Sequence, residues 1–353
     1  MDMEIGVGLD ASLGMTWADQ VQLSKESAQL GFTSIWTPEG NGVDSFHLCV
    51  QRWMASREIV PEGLVTGIGV SPVMYRTPLS FAMAGGTVSE ITGGKFIMGI
   101  GSGGAYQPRA RRVVGLGRLS AMQLMRDYVT VIRDLVSGER VNYESDNMKF
   151  EGLRLGMSPP PQTPVYLGAL GPMMLELSGE LADGASLNWC TPEQIAWSRE
   201  RIDAGAAKAG RDPSDIKMVE YIRICVDDDE DAARVALAKA TMGYALGPTV
   251  PTERESQLGY RGHFARMGFE KELADLNQMR SDGASRDEVA EAFPTSILNA
   301  VGYFGKADGA AAAFKRLSEG LDTTIVRVVA ARRNLDSVRA VMEACSPAKI
   351  EAA

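Results

Sequence analysis

The chain has 353 residues, 45% hydrophobic and 23% charged, with a net charge of −9 and a pI near 5.0. That acidic balance excludes nucleic acid as the main partner, and the basic run of Arg109, Arg111 and Arg112 is too short to change it. No apolar run reaches the ~18 residues that span a bilayer, so no membrane partner is expected. The four cysteines, Cys49, Cys190, Cys225 and Cys345, have no paired spacing and read as reduced thiols of a cytoplasmic protein. Two histidines, His47 and His263, are too few for a histidine-built metal site, so no metal is expected. The opening MDMEIGVGLD reads as the start of a strand, not as a signal peptide.

In chain order, short β-like runs alternate with amphipathic helical runs, the pattern of a parallel sheet with helices outside. IGVGL (Ile5 to Leu9) is the first strand, and the helix through WADQVQLSKESAQLG stops at Gly31. TSIWTPE and SFHLCVQRWMASRE form the second strand and helix. LVTGIGVSPV and PLSFAMAGGTVSEIT form the third pair, closed by Gly93-Gly94. KFIMGIGSGG is the fourth strand, followed by a long helix, SAMQLMRDYVTVIRDLVSG, that ends at Gly138. The polar stretch ERVNYESDNMKFEGLRL predicts a hairpin.

The fifth strand, Val165 to Leu167, breaks at Gly168-Ala169-Leu170-Gly171 and opens into a helix with Pro172 at its first position. GASLNW, IKMVEYIRICV and TTIVRVVAA complete the strand set, with helices at PEQIAWSRERIDAGAAKAG, DEDAARVALAKATMGYAL, ADGAAAAFKRLSEG and LDSVRAVMEAC. Residues from about 247 to 299 fit no strand pattern and read as inserted helices. Eight parallel strands with outer helices predict a (β/α)8 TIM barrel, a single domain over residues 1–353 with a helical insertion at about 247–299. A doubly wound sheet would need fewer strands or a domain break, and neither is visible.

Active sites of such barrels lie at the C-terminal strand ends. Here those ends are Leu9-Asp10, Pro38-Glu39-Gly40, Gly69 to Pro72, Gly101 to Gly104, Ala169 to Gly171, Asn188-Trp189, the region of Arg223, and Arg327 to Ala330. Three are rich in glycine, which suggests a flat ligand lying close to the backbone. Gly171-Pro172 before a helix leaves free N–H groups at a positive dipole end, suited to phosphate, although a tight turn alone explains the pair equally well. GIGSGG matches G-x-G-x-x-G, but Tyr106-Gln107-Pro108 and a basic loop follow it in place of a helix, against a Rossmann site. Glu39 is the carboxylate placed for acid–base work; a solvated loop residue or a helix-end contact explains it equally well. Arg223 and Arg327, inside strands, either pair with a carboxylate such as Glu220 or reach a substrate, and pairing is the simpler expectation. With no lysine at a strand end and no Ser–His–acid set, the site looks built to hold a cofactor that does the chemistry.

PVYLGALGPMMLELSGELADGASLN, LVTGIGVSPVMYRTPLSFAMAGGTVSEITGGKFIMGIGSG and FGKADGAAAAFKRLSEGLDTTIV resemble segments of methylenetetrahydromethanopterin reductases and, more broadly, of luciferase-like flavin and deazaflavin oxidoreductases. The resemblance covers most of the chain apart from the 247–299 insert. It implies a barrel that binds coenzyme F-420, or alternatively FMN, in its mouth. In the deazaflavin branch the third strand ends in a bulge whose non-proline cis peptide backs the ring. Here that bond falls at Gly69-Val70, with Ser71 and Pro72 continuing the wall. Phosphate contacts carry over to Leu170, Gly171, Met173 and Met174, and Gly101, Ser102 and Gln107 match positions near the cofactor. A homodimer or higher homo-oligomer is also implied.

Two positions depart from the family pattern. Many relatives have Asp-His where this chain has Pro38-Glu39, and sugar-phosphate-oxidising relatives have a glutamate where it has Gly104. The resemblance therefore implies a hydride transfer between F-420 and a small organic substrate, a methylenetetrahydromethanopterin-like pterin among the candidates, with Glu39 as its catalytic residue and cofactor contact. Asn188, Trp189 and Tyr221 are the expected substrate contacts. An FMN-dependent monooxygenase and a barrel that stores a flavin-like ligand are the alternatives.

Overall fold

The computed structural model describes residues 4–105, 107–157, 163–247 and 257–353. The chain divides into two compact units, one made of Thr16–Ser186 and Arg199–Val219, the other of Met1–Met15, Leu187–Ser198 and Glu220–Ala353. Strand β1 (Glu4–Gly8) belongs to the second unit. The first unit begins with α1 (Trp17–Gln29), where Thr16 and Asp19 form a capping box. It continues with β2 (Ser34–Thr37), α2 (Ser45–Ser56), β3 (Val65–Ile68), the two-residue β4 (Ser71–Pro72) and α3 (Pro78–Thr92). Then come β5 (Phe96–Gly101), α4 (Pro108–Val113), α5 (Ala121–Val136), β6 (Val141–Glu144), β7 (Lys149–Leu153), β8 (Val165–Gly168) and α6 (Pro172–Leu181). The chain passes between the units within β9 (Gly184–Asn188), α7 (Pro192–Lys208) and β10 (Lys217–Val226).

In the first unit the strands run in the order β2-β3-β5-β8-β9, all parallel. Helix α3 illustrates how the sequence dictates its surroundings. The Thr77 hydroxyl accepts from the Ser80 N–H, Pro78 occupies the first turn where its missing N–H costs nothing, and Gly93 ends the helix at φ +62°. Its buried face carries Phe81, Ala82, Gly85 and Val88 at helical spacing, and burying a phenylalanine contributes about 3 kcal/mol. The predicted hairpin is present as β6 and β7, pinned to α5 by Asp127. That carboxylate accepts from Gln123, Tyr143, Ser145 and Asn147 at 2.7 to 3.0 Å.

The second unit contains α8 (Glu230–Ala245), α9 (Gly259–Phe264), a π-helical turn (Ala265–Phe269), α10 (Glu270–Ser281), α11 (Arg286–Glu291) and α12 (Thr295–Val301). It ends with β11 (Gly302–Gly305), α13 (Ala307–Leu317), β12 (Thr323–Val328), α14 (Leu335–Ala344) and α15 (Pro347–Ala352). Its strand order is β11-β10-β12-β1, with β1 parallel to β12 and β10 parallel to β11. The predicted 247–299 insertion is helical where described; residues 248–256 lie outside the described set. Phe264, Leu273, Leu276, Val289 and Phe293 of that stretch share a core with Leu237 and Met242 of α8. Among the described residues no helix is long and apolar enough to cross a membrane.

Between β3 and β4 the Gly69–Val70 peptide bond is cis. The Gly69 N–H donates to the Thr37 carbonyl at 2.9 Å, and the Glu39 N–H donates to the Val70 carbonyl at 3.2 Å, so both sides of the bulge are tied to the end of β2. The Val70 side chain turns against β5 and β8. A Cβ on Gly101 would stand 2.5 Å from Val70 Cγ2, one on Gly168 3.1 Å from the same atom, and one on Gly99 3.1 Å from Val70 Cγ1 and in collision with the Ile68 carbonyl oxygen. That last neighbour is backbone and cannot rotate away. Gly99→Ala is therefore expected to destabilise the protein by about 3 kcal/mol, the upper end for an overpacked core, whereas Gly40→Ala, which meets nothing within 4 Å, leaves it within ~0.5 kcal/mol. Urea unfolding checks both; equal midpoints for the two variants would remove the packing role of the glycines.

Candidate active site

Glu39 follows β2 and is 8% exposed. Both of its oxygens are engaged. Arg76 donates from Nη1 to Oε2 at 2.5 Å and from Nη2 to Oε1 at 2.6 Å, the Ser71 hydroxyl donates to Oε2, and the Ser45 N–H donates to Oε1 at 3.2 Å. Such a two-pronged guanidinium–carboxylate grip is among the strongest hydrogen-bonded ion pairs. Arg76 also reaches Asp44, and its Cζ lies 4.9 Å from the Phe46 ring and 5.6 Å from the Phe81 ring. The Glu39 carboxylate holds the Arg76 guanidinium above its usual value. Burial by itself would raise the Asp44 carboxyl, but hydrogen bonds from His47 and Arg76 outweigh it and leave it low.

Glu39 thus ties Ser71, on the far side of the bulge, to the end of β2 and the start of α2. Arg76, Asp44 and this network carry no sequence signal: Arg76 lies beyond the third strand end, in a turn before α3. Only its distance of 37 residues from Glu39, bridged by folding, makes the pair.

The other expected cofactor contacts lie at the ends of β3, β5 and β8, which are neighbours in one sheet. Ser71 and Pro72 pair with Ile100 and Gly101. Ser102 and Gln107 are half-buried; the Ala105 N–H donates to the Ser102 carbonyl at 2.8 Å, and the Gln107 N–H to the Gly104 carbonyl at 2.7 Å. The basic run expected as a loop is instead the short helix α4, started by Pro108, with the Arg111 guanidinium donating to the Ala105 carbonyl at 2.7 Å. Leu170 is half-buried, Gly171 is the N-cap of α6 with no side-chain cap, Met173 is 61% exposed and Met174 packs on the core.

Gly99, Gly101 and Gly168 face Val70, so their missing side chains make room for the bulge. Gly171 differs, because a Cβ there would meet nothing within 4 Å among the described residues.

In the second unit, Asn188, Trp189 and Tyr221 gather with residues that sequence pattern does not single out. Trp189 has φ +60°, a left-handed conformation rare for a bulky side chain. His263 Nε2 donates to the Trp189 carbonyl at 2.8 Å, and the Cys190 N–H donates to Glu220 Oε1 at 2.7 Å, which together hold that turn. Burial pushes the His263 imidazole down to about 4 and the Glu220 carboxyl up to about 8. Arg223 does not pair with Glu220. It donates to Asn188 Oδ1 and, at 2.8 Å, to the Tyr221 carbonyl, with its Cζ 3.8 Å from the Trp189 ring centroid. Arg327 is the arginine that finds a carboxylate, that of Asp10.

The fold that carries these strand ends is of a known class. A coenzyme F-420-dependent tetrahydromethanopterin reductase from Methanopyrus kandleri superposes with a TM-score of 0.77 at 19% identity, covering 100% of this chain and 99% of that one. An F-420-dependent secondary alcohol dehydrogenase, solved with an F-420–acetone adduct, gives 0.74 at 18% identity and 99% coverage of both chains. At such identities the likeness concerns fold alone, and that fold is a (β/α)8 TIM barrel of the luciferase-like type. The chain belongs to the luciferase-like monooxygenase family, whose model matches residues 3–324.

Among curated proteins the chain is 36% identical over 189 residues to 5,10-methylenetetrahydromethanopterin reductase of Archaeoglobus fulgidus, covering 54% of this chain and 55% of the relative. It is 31% identical over 216 residues to that of Methanolobus tindarius, covering 61% and 63%. The chain thus spans little more than half the length of these curated relatives.

Two outcomes follow from this geometry. Removing one partner of a largely buried ion pair costs about 3 kcal/mol, so Glu39→Gln and Arg76→Met should each lower the urea midpoint. Together they should cost less than the sum of the two by ~1 kcal/mol or more; strict additivity would mean that the pair does not act as a unit. For Glu220, a carboxyl raised from 4.5 to about 8 holds its proton more tightly in the folded state. Stability is therefore complete below about pH 4.5 and is lost as pH rises through about 8, each unit of displacement being worth about 1.4 kcal/mol. Glu220→Gln should flatten the fall in Tm across that window, whereas parallel curves for parent and variant would show that Glu220 ionises as readily folded as unfolded.

Proposed function

We propose that this chain is a coenzyme F-420-dependent oxidoreductase that moves a hydride between the deazaflavin and a small organic substrate. The observation that carries the reading is the convergence of Val70–Pro72, Gly101–Ser102 and Leu170–Gly171 on the ends of three adjacent parallel strands. The F-420-dependent names of the two structural neighbours, and the pterin-reductase names of the two relatives, support the same reading. The residues fit such a cofactor. The N-terminus of α6 has no side-chain cap, Gly171 leaves it open, and Met173 beside it is largely exposed, an arrangement suited to an anionic tail. Val70, Ser71 and Pro72 would wall the ring, with Gly101, Ser102 and Gln107 alongside.

When bound, the deazaflavin supplies the redox chemistry by exchanging a hydride with the substrate. The chain's own contribution is placement, since reacting atoms must be held about 3–3.5 Å apart. In this reading Glu39 acts as a positioning residue: it keeps Ser71 and the bulge fixed to β2 through its grip on Arg76. A pterin of the methylenetetrahydromethanopterin kind is one substrate consistent with the relatives' names, and Asn188, Trp189 and Tyr221 are the side chains proposed to meet it.

Fluorescence titration of the purified protein with F-420, and separately with FMN, tests the reading. F-420 is expected to bind at least ten-fold more tightly, and a preference for FMN would replace hydride transfer with oxygen chemistry. Gly171→Asp gives a second readout. Aspartate is a good N-cap and leaves Tm unchanged or higher, while its charge should weaken F-420 binding ten-fold or more. Unchanged affinity would remove the α6 terminus from the site.

A further inference from the structure

Among the described residues, Arg223 is a buried charge with no carboxylate bonded to it. It is 4% exposed, and its hydrogen-bond partners, Asn188 Oδ1 and the Tyr221 carbonyl, are both neutral. No carboxylate lies within salt-bridge distance of it among the described residues. The nearest acid in sequence, Glu220, points to the opposite side of β10 because side chains alternate along a strand, and it is occupied with the Cys190 N–H. Burial also disfavours the charged form of Glu220.

The neighbouring strand adds a second cation. Arg327 on β12 lies with its Cζ 5.3 Å from the Tyr221 ring, which Arg223 approaches to 5.9 Å from its own position. Arg327 has Asp10 as its carboxylate, yet its Nη1 is buried with no partner among the described residues. Two guanidiniums therefore flank one tyrosine, and among the described residues the carboxylate that pairs with them is that of Asp10, on Arg327. Leaving a buried charge unpaired costs several kcal/mol, so an arrangement of this kind is stable only when something else supplies the opposite charge or when function requires the cost.

The surroundings favour one kind of anion. Trp189 lies under the Arg223 guanidinium at 3.8 Å, and Tyr244 packs on both Trp189 (5.5 Å) and Tyr260 (4.7 Å), so the charge is walled by aromatic faces. Tyr260 in turn accepts from Asn188 Nδ2 at 2.6 Å, which fixes the amide with its oxygen toward Arg223. The left-handed backbone at Trp189 is a further mark of a constrained, functional position. The cluster meets solvent at Tyr244, which is 39% exposed, and at the half-buried Asn188.

We propose that Arg223, set between Asn188 and the Trp189, Tyr221, Tyr244 and Tyr260 rings, is the recognition site for a carboxylate carried by the substrate. A planar monoanion matches the guanidinium fork, and the apolar remainder of an unsaturated or aromatic acid would lie on the ring faces. A phosphate dianion fits less well, since it loses more hydration on entering an aromatic enclosure that offers it one buried guanidinium. As a statement about substrate this rests on the oxidoreductase reading above; as a statement about binding it does not.

Calorimetric titration of the full chain with benzoate, with its neutral isostere benzamide and with inorganic phosphate tests the assignment. Benzoate is expected to bind at least ten-fold more tightly than benzamide and more tightly than phosphate. Arg223→Gln should abolish the difference between benzoate and benzamide. Because removing a buried arginine can impair folding, Asn188→Asp provides the second variant: it places a carboxylate directly on Arg223, keeps a partner for Tyr260, and should also erase the difference. Equal binding of benzoate and benzamide by the parent chain, or a difference that survives in Asn188→Asp, would overturn the proposal, and tighter binding of phosphate would overturn the carboxylate class. F-420 titration of the same preparations keeps the two readings apart: loss of F-420 binding by the parent chain counts against the oxidoreductase assignment alone, while an anion titration that fails beside normal F-420 binding counts against the carboxylate site alone.

Discussion

Val70 fills the space that side chains on Gly99, Gly101 and Gly168 would otherwise take, and much of the first unit is arranged around that substitution of one side chain for three. Interiors pack nearly as densely as crystals, so the bulge between β3 and β4 can lie against β5 and β8 only if those strands give up volume at these positions. The glycines on β5 and β8 and the valine on the bulge are one solution to one packing problem. The flexibility usually credited to glycine has no part in it, since none of the three has a positive φ.

The polar half of the same region has a comparable logic. Glu39, Arg76, Ser71 and Asp44 come from four separate stretches of the first unit and satisfy one another almost completely. A buried network of this kind is favourable only when nearly every donor and acceptor is matched, which makes it rigid and specific in placement. Arg76 also covers Phe46 and Phe81, so the network is continuous with the apolar core beneath it. The cluster around Trp189 in the second unit is the opposite case: among the described residues, Glu220, His263 and Trp189 each keep a buried polar atom without a partner, and Arg223 is bonded to no acid.

Most of the fold is legible in the sequence, for a physical reason. Strands such as Glu4–Gly8, Phe96–Gly101 and Thr323–Val328 lie in parallel sheets, so they read as short apolar runs, and proline and glycine punctuate the helices between them. Strand β11 is missed because Gly-Tyr-Phe-Gly is too short and too glycine-rich to show a period. The strand ends are correctly placed as positions, but their chemistry is only partly visible. Glu39 reads as a carboxylate awaiting a role, and nothing local announces that Arg76 will occupy both of its oxygens. Arg223 and Arg327 look alike as strand arginines, and only the fold separates the one that meets Asp10 from the one that meets no acid.

The pairing of β1 with β12 has a consequence for how the chain is made. Glu4 lies opposite Thr323, and their side chains bond across 319 residues of sequence. At a synthesis rate of about 5–20 residues per second, the partner of β1 emerges from the ribosome roughly 16 to 64 s after β1 itself. Residues 5–8 of β1 are all buried in the finished protein, so for that interval the nascent chain carries an apolar strand with an unsatisfied edge. The second unit cannot close its sheet until the last strand arrives, whereas the strand pairings of the first unit join neighbours within a single stretch of the chain. An interruption of translation before Thr323 leaves the amino-terminal strand without its partner on that edge, a natural handle for chaperones and for quality control.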